Sequence, residues 1–190
     1  MTEQGPVDGV AVRPYDRDAD AEALWELKRG FERGIGVETG EDEKAAVYEG
    51  KLTGDYRDRW LSWVARCVEE DSGCVVVADS PSVGAASTRG DRDDGSAESG
   101  EIVGYAFVLP ESLAFVWDAA VLNEIYVAPD CRGTGVADAL MDAAVAFARS
   151  QELPLDRLVL DVDRENDRAR AFYDRHGFEH WGEMVAREIS

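Results

Sequence analysis

One junction constrains this chain most: the apolar segment NEIYVAP leads into CRGTGVADAL and then into the helix-like segment ALMDAAVAFARS. The pattern predicts a strand, a tight turn and the start of a helix. A helix N-terminus exposes unpaired N–H groups and the positive end of the helix dipole, so it binds anions readily. Gly133 and Gly135 let the backbone approach a ligand closely, and Arg132 adds a forked, permanently charged donor. The junction therefore predicts a pyrophosphate-binding site.

Two other phosphate-binding motifs do not fit this junction. A dinucleotide fingerprint needs GxGxxG, but its third glycine position is Asp138 and the junction lies late in the chain. A nucleotide P-loop needs Gly-Lys followed by Ser or Thr, which the junction lacks. The remaining alternative is a strand–helix turn in which the glycines serve the backbone geometry alone.

The charge of the chain argues against one class of partner. Acidic residues number 40 against 20 basic ones, which gives a formal net charge of −20. Nucleic-acid binding needs a basic footprint for phosphate contacts, so we expect no nucleic-acid partner. So large a charge opposes compactness by self-repulsion, which salt screens. Abundant Asp and scarce Lys therefore indicate a halophilic protein from a salt-rich cytoplasm, whose folding should recover in molar KCl.

Cysteine and histidine are too few and too scattered for a metal centre. Cys67, Cys74 and Cys131 form no CxxC pair, and only His176 and His180 are present, so we expect no metal. The opening residues MTEQGPVDGVAV lack the basic and apolar stretches of a signal peptide. No apolar run approaches the roughly 20 residues of a membrane span. We expect a cytoplasmic protein with no membrane partner.

Hydrophobic patterning predicts a single α/β domain over residues 1–190, with a mixed central sheet flanked by helices. Five main strands are predicted, at 10–15, 73–79, 101–110, 119–129 and 155–163. Helices are predicted at 16–31, around Trp60, after the junction and at 166–176, with a glycine-containing link at 33–40. The first helix has one face formed by Leu24, Leu27, Lys28 and Phe31. The last segment, EHWGEMVAREIS, is predicted to add one or two edge strands.

The segment 80–100, SPSVGAASTRGDRDDGSAESG, contains no Leu, Ile or aromatic residue. It cannot bury enough apolar surface to offset the entropy lost on ordering. We therefore predict a flexible acidic loop, inserted into a hairpin formed by the second and third strands.

Two motifs resemble the GNAT superfamily of acetyl-CoA-dependent N-acetyltransferases. The first, Gln/Arg-x-x-Gly-x-Gly/Ala after an apolar strand, is matched by Arg132, Gly135 and Ala137. The second, an Asn followed by A..FY...GF, is matched by Asn166, Ala169, Phe172, Tyr173, Gly177 and Phe178. The segment LDVDREN followed by AFYDRHGF is most similar to the RimI-like branch, which acetylates protein N-termini. The resemblance covers about 119–180, and the N-terminal third matches only in the order of its elements.

The resemblance implies the GNAT fold, with a splay between the fourth and fifth strands that receives acetyl-CoA. The pantetheine arm is expected along the fourth strand, on backbone groups of Ile125, Tyr126 and Val127. The pyrophosphate is expected on Arg132 and on the amides of Gly133, Thr134, Gly135, Val136 and Ala137. Asn166 is an N-cap by its own position, and the resemblance also places it near the pantetheine. Asp138, an acid beside this phosphate site, departs from many relatives and is expected to point away.

Acetyl transfer to an amine needs a neutral amine, a polarised carbonyl and a protonated leaving sulfur. The resemblance makes Tyr173 the acid, although its place in a helical stripe is also consistent with a core role. Two carboxylates are candidate bases, and the choice between them stays open. Glu124 interrupts an apolar strand beside the expected carbonyl position, alternating with Leu122 and Tyr126. Asp161 takes the place of the glutamate of RimI-like relatives, and its shorter side chain would act through water.

The sequence thus predicts an acyltransferase of the EC 2.3.1 type that moves an acetyl group to a primary amine by direct transfer in a ternary complex. The acceptor is a protein N-terminus, a lysine or a small-molecule amine, and the protein is a monomer or a homodimer. The alternatives are a non-catalytic acyl-CoA-binding regulatory module and a scaffolding domain that binds no cofactor.

Overall fold

Among the residues that the structure describes, five strands form one sheet whose spatial order follows the chain: β1 Val12–Pro14, β2 Val75–Asp79, β3 Ile102–Val108, β4 Ala120–Val127 and β5 Leu158–Val159. The computed structural model describes residues 10–38, 42–80, 101–187 and 189. Successive strands pair antiparallel up to β4, and β4 pairs parallel with β5. This mixed sheet, with helices on both faces, confirms the predicted fold class.

In the described part of the chain, six helices flank the sheet: α1 Arg17–Glu38, α2 Asp42–Gly50, α3 Gly54–Glu70, α4 Glu111–Ala114, α5 Val136–Ala148 and α6 Asp167–Arg175. The ends of two helices carry local signals. Thr53 caps α3 by accepting from the Tyr56 amide at 3.2 Å. Asn166 caps α6 by accepting from the Ala169 amide at 2.9 Å, and Gly177 follows that helix at φ +82°. The predicted caps of α6 are both confirmed.

The core lies on the two faces of the sheet. On one face α1 and α3 bury Leu24, Trp60 and Val64 against Tyr105 and Phe107 of β3. On the other face α5 buries a second apolar cluster, Val136, Leu140, Met141 and Ala144, with Ala106 and Val127. Because both faces are covered, β3 is buried along its whole length.

The parallel pairing between β4 and β5 is short. It joins Ala120 to Leu158 and Val121 to Val159, whereas β4 continues to Val127. The two strands therefore diverge after their first shared residues. This is the splay that the resemblance implied, and it leaves one edge of β4 without a strand partner among the described residues.

The first helix is longer than the sequence predicts, because the glycine-containing link is helical as far as Glu38. A glycine inside a helix costs about 1 kcal/mol relative to alanine. Packing of α1 against α2 offsets that cost, and Arg33 pairs with Glu49 of α2 at 2.8 Å. Tertiary contacts have overridden local propensity here.

The C-terminal part of the sheet is smaller than predicted. The strand predicted at 155–163 is reduced to Leu158–Val159, because β4 diverges from it. The predicted closing strands are not formed in 179–187, where Trp181 is 60% and Val185 is 94% exposed. Because β5 has only two residues, it provides too few backbone hydrogen-bonding groups for a further strand to pair with it. The loop predicted at 80–100 lies, apart from residue 80, outside the described residues.

Within the described ranges, no helix has the length and apolar character needed to cross a bilayer.

Candidate active site

The predicted phosphate-binding junction has the geometry of an anion site. A short 3₁₀ turn, Pro129–Cys131, follows β4, and Gly133 and Gly135 then take φ +78° and +88°. Such angles favour glycine, because a Cβ in the left-handed region meets the following carbonyl oxygen. Gly135 occupies the N-cap of α5, where it offers no side chain to the first-turn amides. The helix therefore presents N–H groups that can receive an oxyanion.

The space next to Gly133 is open. A Cβ built on Gly133 meets no described protein atom within 4 Å. A hydrogen bond within the turn stabilises it, since the Thr134 hydroxyl donates to the Cys131 carbonyl at 2.6 Å. The glycine thus leaves room for a ligand rather than for a neighbouring side chain.

Arg132 connects the junction to the end of β4. Its Nε donates to the Val127 carbonyl at 3.1 Å, and its guanidinium lies 5.7 Å from the Tyr126 ring centroid. Tyr126 in turn packs edge-on against Phe31 of α1. The arginine is therefore positioned by contacts on β4 while it remains partly exposed beside the glycines.

Asp138, in the first turn of α5, is engaged by the last turn of α6. Its Oδ1 accepts from Arg175 Nη2 at 2.5 Å and lies 3.1 Å from His176 Nε2. The carboxylate is therefore paired with cationic and imidazole groups of a neighbouring helix. This pairing reduces its repulsion of an anion bound at the same helix end.

The open edge of β4 exposes backbone groups of alternate residues. The Ala128 amide donates to Val103 of β3 at 2.8 Å, so in an antiparallel ladder the peptide groups of Tyr126 also face β3. Those of Ile125 and Val127 face the gap beyond β4, where the Val127 carbonyl already accepts from Arg132 Nε. Of the three predicted arm-binding residues, these two present their main-chain groups to the splay.

Tyr173 lies on α6 among apolar side chains near the junction. Its ring packs edge-on against Phe172 and Phe178, at centroid distances of 5.5 and 5.6 Å. It contacts the apolar cluster that also receives Ile125 and Cys131. Burial raises the pKa of Tyr173 to about 12, so the phenol is protonated at neutral pH. The α6 tyrosine is thus a neutral phenol beside the elements that form the splay.

The two candidate bases have contrasting surroundings. Glu124 is only 6% exposed and faces α1, whereas Asp161 is exposed, two residues beyond the end of β5. The register of β4 against β3 shifts at Asn123, which has no partner in the ladder. Because of this irregularity, Leu122 packs into the apolar cluster on the α5 side, while Glu124 points to α1. The prediction that Leu122 and Glu124 lie on the same face of the strand is therefore wrong.

Glu124 belongs to a group of ionised and phenolic side chains that we call the buried charge cluster: Lys28, Glu32, Lys51, Tyr56, Tyr105 and Glu124. The Lys28 ammonium lies 2.5 Å from Glu124 Oε1 and 2.6 Å from Glu32 Oε1. The Tyr105 hydroxyl donates to Glu124 Oε2 at 2.7 Å. Lys51, 36% exposed, lies 2.7 Å from Glu32 Oε2.

Burial and pairing oppose each other in the buried charge cluster. Burial favours neutral lysine, yet the Glu124 and Glu32 carboxylates outweigh it and raise the pKa of Lys28 above 10.5. Burial likewise favours a neutral Glu32, yet Lys28 and Lys51 lower the pKa of that carboxyl below 4.5. Burial and the adjacent Glu124 keep the pKa of Tyr105 well above 10. At neutral pH the Lys28–Glu32 pair is therefore ionised and the Tyr105 phenol is neutral.

The sequence offered only an indirect signal for this cluster. Lys28 stands at helical spacing on the face formed by Leu24, Leu27 and Phe31, where a charged residue needs a partner. That partner, Glu124, is 96 positions away. In the described part of the chain, no group of three or more His, Cys, Asp or Glu is arranged to hold a metal.

The free energy of unfolding at acidic pH should depend on the ionisation of Glu32. Since its pKa is lowered by folding, its contribution is complete above about pH 4.5 and is lost as the pH falls through the lower, folded value. We expect Glu32→Gln to lower the free energy of unfolding by about 1–3 kcal/mol at pH 7. Urea unfolding should show this difference shrinking between pH 4.5 and pH 2. A difference that grows on acidification would contradict the assignment.

Comparison with known proteins identifies the class to which this site belongs. Residues 49–178 match the acetyltransferase (GNAT) family. The match covers well over half of the chain, which therefore belongs to the GNAT family of acetyltransferases.

Similar proteins include the mycothiol acetyltransferase of Salinispora tropica, 28% identical over 187 aligned residues that cover 89% of this chain and 55% of the relative. The 5-NmdU N-acetyltransferase of Pseudomonas phage PaMx11 is 40% identical over 68 residues, 36% of this chain and 45% of the relative. The chain thus spans about half the length of these curated relatives. Among solved structures, a similar fold is found in the PaiA N-acetyltransferase of Thermoplasma acidophilum in complex with coenzyme A. The two structures superpose with a TM-score of 0.63 at 17% identity, and the alignment covers 90% of this chain and 89% of that one.

Proposed function

We propose that this protein transfers the acetyl group of acetyl-CoA to a primary amine, by direct transfer in a ternary complex. One observation carries the proposal: an uncapped helix N-terminus with two left-handed glycines lies at the end of a strand whose neighbour diverges. A diphosphate and an extended arm have the charge and shape to fill these two adjoining features. Acetyl-CoA has both parts and supplies the acetyl group as a thioester.

The residues present fit this cosubstrate. The amides from Gly133 to Ala137 would hold the pyrophosphate, with Arg132 beside them. Main-chain groups of Ile125 and Val127 would bind the arm as an added strand, and Tyr126 would support Arg132 through its ring. Asn166 already accepts from the Ala169 amide, so its contribution would be to fix the start of α6 next to the arm.

Proton handling would fall to Tyr173 and a carboxylate. Tyr173 is protonated at neutral pH and would donate to the leaving sulfur. Glu124, on β4 itself, would receive the acceptor proton through water, since its own oxygens already accept from Lys28 and Tyr105. Asp161, exposed beyond β5, is the alternative base. Alanine and amide variants of the two, assayed across pH, separate them, because losing the true base shifts the rising limb of the rate profile.

The acceptor is an amine of a peptide N-terminus, a lysine or a small molecule. The RimI-like residues of α6 favour an N-terminus, and the charge of −20 would attract cations at low salt. The same charge supports a halophilic, cytoplasmic protein as part of this proposal. Monomer and homodimer are both compatible with the single-chain site.

The test is a binding and transfer assay in molar KCl. Acetyl-CoA binding is measured by calorimetry, and coenzyme A release is measured with peptides, lysine, polyamines and aminoglycosides as acceptors. Release that depends on the acceptor supports the enzyme. Tight binding without such release would instead indicate an acyl-CoA-binding regulatory module, and no binding would indicate a scaffolding domain.

Gly133→Asn should weaken acetyl-CoA binding by about three- to tenfold without unfolding the protein. Asparagine tolerates the left-handed conformation, and a Cβ here meets no described protein atom within 4 Å. The added side chain would therefore conflict with the ligand alone. Calorimetry gives the affinity, and Gly34→Asn, on α1 away from the junction, serves as the control. Unchanged affinity would place the phosphates elsewhere.

A further inference from the structure

Asp138 is an acid in the first turn of α5, the helix whose N-terminus has the geometry of an anion site. The helix dipole favours a carboxylate there, but the carboxylate would repel a bound pyrophosphate. Its Oδ1 accepts from Arg175 Nη2 at 2.5 Å and lies 3.1 Å from His176 Nε2, at the end of α6. The helix dipole explains an acid at this position, but it does not explain why two groups at the end of another helix contact that acid.

The packing of α6 against the rest of the fold is incomplete. Among the described residues of this helix none is fully buried, although Phe172 and Tyr173 pack against the apolar cluster that contains α5. His176 Nδ1 lies 2.8 Å from the Phe172 carbonyl, so the imidazole contacts both α5 and its own helix. The contacts with Asp138 therefore add a polar attachment at the C-terminal end of α6.

The contacts of Asp138 continue to Tyr173 through one aromatic ring. The Phe172 ring centroid lies 4.4 Å from that of His176 and 5.4 Å from the Arg175 guanidinium carbon. Phe172 in turn packs edge-on against Tyr173 at 5.5 Å. The two groups that hold Asp138 thus contact the ring beside the proposed acid. Releasing them should change the position of the Tyr173 hydroxyl.

We infer that Asp138 is a positioning residue, which fixes α6 and the Tyr173 hydroxyl relative to the helix end that would hold the pyrophosphate of acetyl-CoA. The inference rests on the proposed acetyltransferase function and assigns Asp138 a part in turnover rather than in cosubstrate binding. It also accounts for an acid beside a phosphate site, because Arg175 and His176 offset the repulsion between the carboxylate and the phosphates.

Asp138→Asn should have different effects on binding and on turnover. The substitution removes a negative charge near the phosphates, so the Kd for acetyl-CoA should stay unchanged or fall by up to about threefold. The contacts with Arg175 and His176 are weakened together, so kcat should fall by about three- to tenfold. Asp138 is 36% and Arg175 61% exposed, and such an ion pair alone is worth a factor of about 5 or less.

Calorimetry measures the Kd, and steady-state kinetics with the fastest acceptor of the amine panel measure kcat. Both use the lowest KCl concentration that keeps the protein folded, so that the ion pair is screened as little as possible. Asp142→Asn is the matched control, because it removes the same charge from an exposed residue about one turn further along α5. It should leave kcat within about twofold.

Arg175→Gln tests the other side of the contact. It should lower kcat about as much as Asp138→Asn does, but it should weaken acetyl-CoA binding, since Asp138 then lacks its cation. The double variant Asp138→Asn, Arg175→Gln should have a kcat within about twofold of either single variant, because both residues act through one contact. Losses that multiply in the double variant contradict the inference.

Hydrogen exchange in the free protein gives a readout that does not depend on turnover. In Asp138→Asn the amides in the last turn of α6 should exchange about two- to fivefold faster than in wild type. Amides in the second half of α5 should keep their rates, and Asp142→Asn should leave both helices unchanged. Unchanged exchange in α6 of Asp138→Asn overturns the inference.

The inference and the proposed function fail in different ways. Unchanged kcat in Asp138→Asn, or an equal loss of kcat and of acetyl-CoA affinity, overturns the inference alone. Wild-type protein that binds no acetyl-CoA, or transfers no acetyl group, overturns the proposed function and with it the inference. If Asp138→Asn does not fold, Arg175→Gln decides, because its side chain is largely exposed and unchanged kcat in this variant overturns the inference.

Discussion

Replacing Lys28 by methionine should lower the free energy of unfolding by about 3–5 kcal/mol. The lysine side chain is 3% exposed and pairs with two carboxylates that are equally buried or nearly so. Methionine keeps most of the apolar stem but leaves Glu124 without its cation and Glu32 with Lys51 alone. An uncompensated buried charge is among the largest single defects a fold can carry. Urea unfolding at pH 7 measures the loss.

Lys51→Met is the matched control for this prediction. Lys51 also contacts Glu32, at 2.7 Å, but it is 36% exposed and water can replace it. Its loss should therefore be about 1 kcal/mol or less. The double variant Lys28→Met, Glu124→Gln should recover part of the loss, since it removes one orphaned charge. A loss below about 1 kcal/mol in Lys28→Met would show that the cluster contributes little to stability.

Tyr173→Phe should lower kcat at least tenfold while acetyl-CoA binding is retained. General acid catalysis is worth roughly 10²–10⁴ in rate, and water can replace part of it. The substitution removes only the hydroxyl, so the ring contacts with Phe172 and Phe178 remain. Steady-state kinetics and calorimetry measure the two quantities separately.

Tyr15→Phe is the control for the α6 tyrosine. Tyr15 is 6% exposed, and burial likewise raises its pKa to about 12, but it adjoins β1. We expect its removal to leave kcat within about twofold. Equal rates for wild type and Tyr173→Phe would assign Tyr173 to the core alone, the interpretation that its helical stripe also supports.

The parts of the site that depend on local geometry could be predicted from the sequence. The glycines of the junction take left-handed angles that follow from the residue type and its place before a helix. Asn166 and Gly177 mark the ends of α6 for the same kind of reason. The splay between β4 and β5 followed from the family resemblance, whereas the mixed sheet followed from the order of the predicted elements.

The parts that depend on distant contacts could not be predicted. Lys28 and Glu124 are far apart in the chain, and no periodicity brings α1 and β4 together. A single unpaired residue, Asn123, changes which face Leu122 occupies, so counting alternate residues along β4 fails there. The helix through Glu38 depends on α2, a neighbour that propensity cannot foresee.

The diverging edge of β4 has a consequence for solvent exchange. Within the described ranges, the amide hydrogens of Ile125 and Val127 have no ladder partner, whereas that of Ala128 is bonded to β3 and, by the register, that of Tyr126 also points to β3. Deuterium uptake along this strand should thus alternate between fast and slow from one residue to the next. An extended molecule bound in the gap would remove that alternation. Slower exchange of the Ile125 and Val127 amides would then show that the gap is occupied.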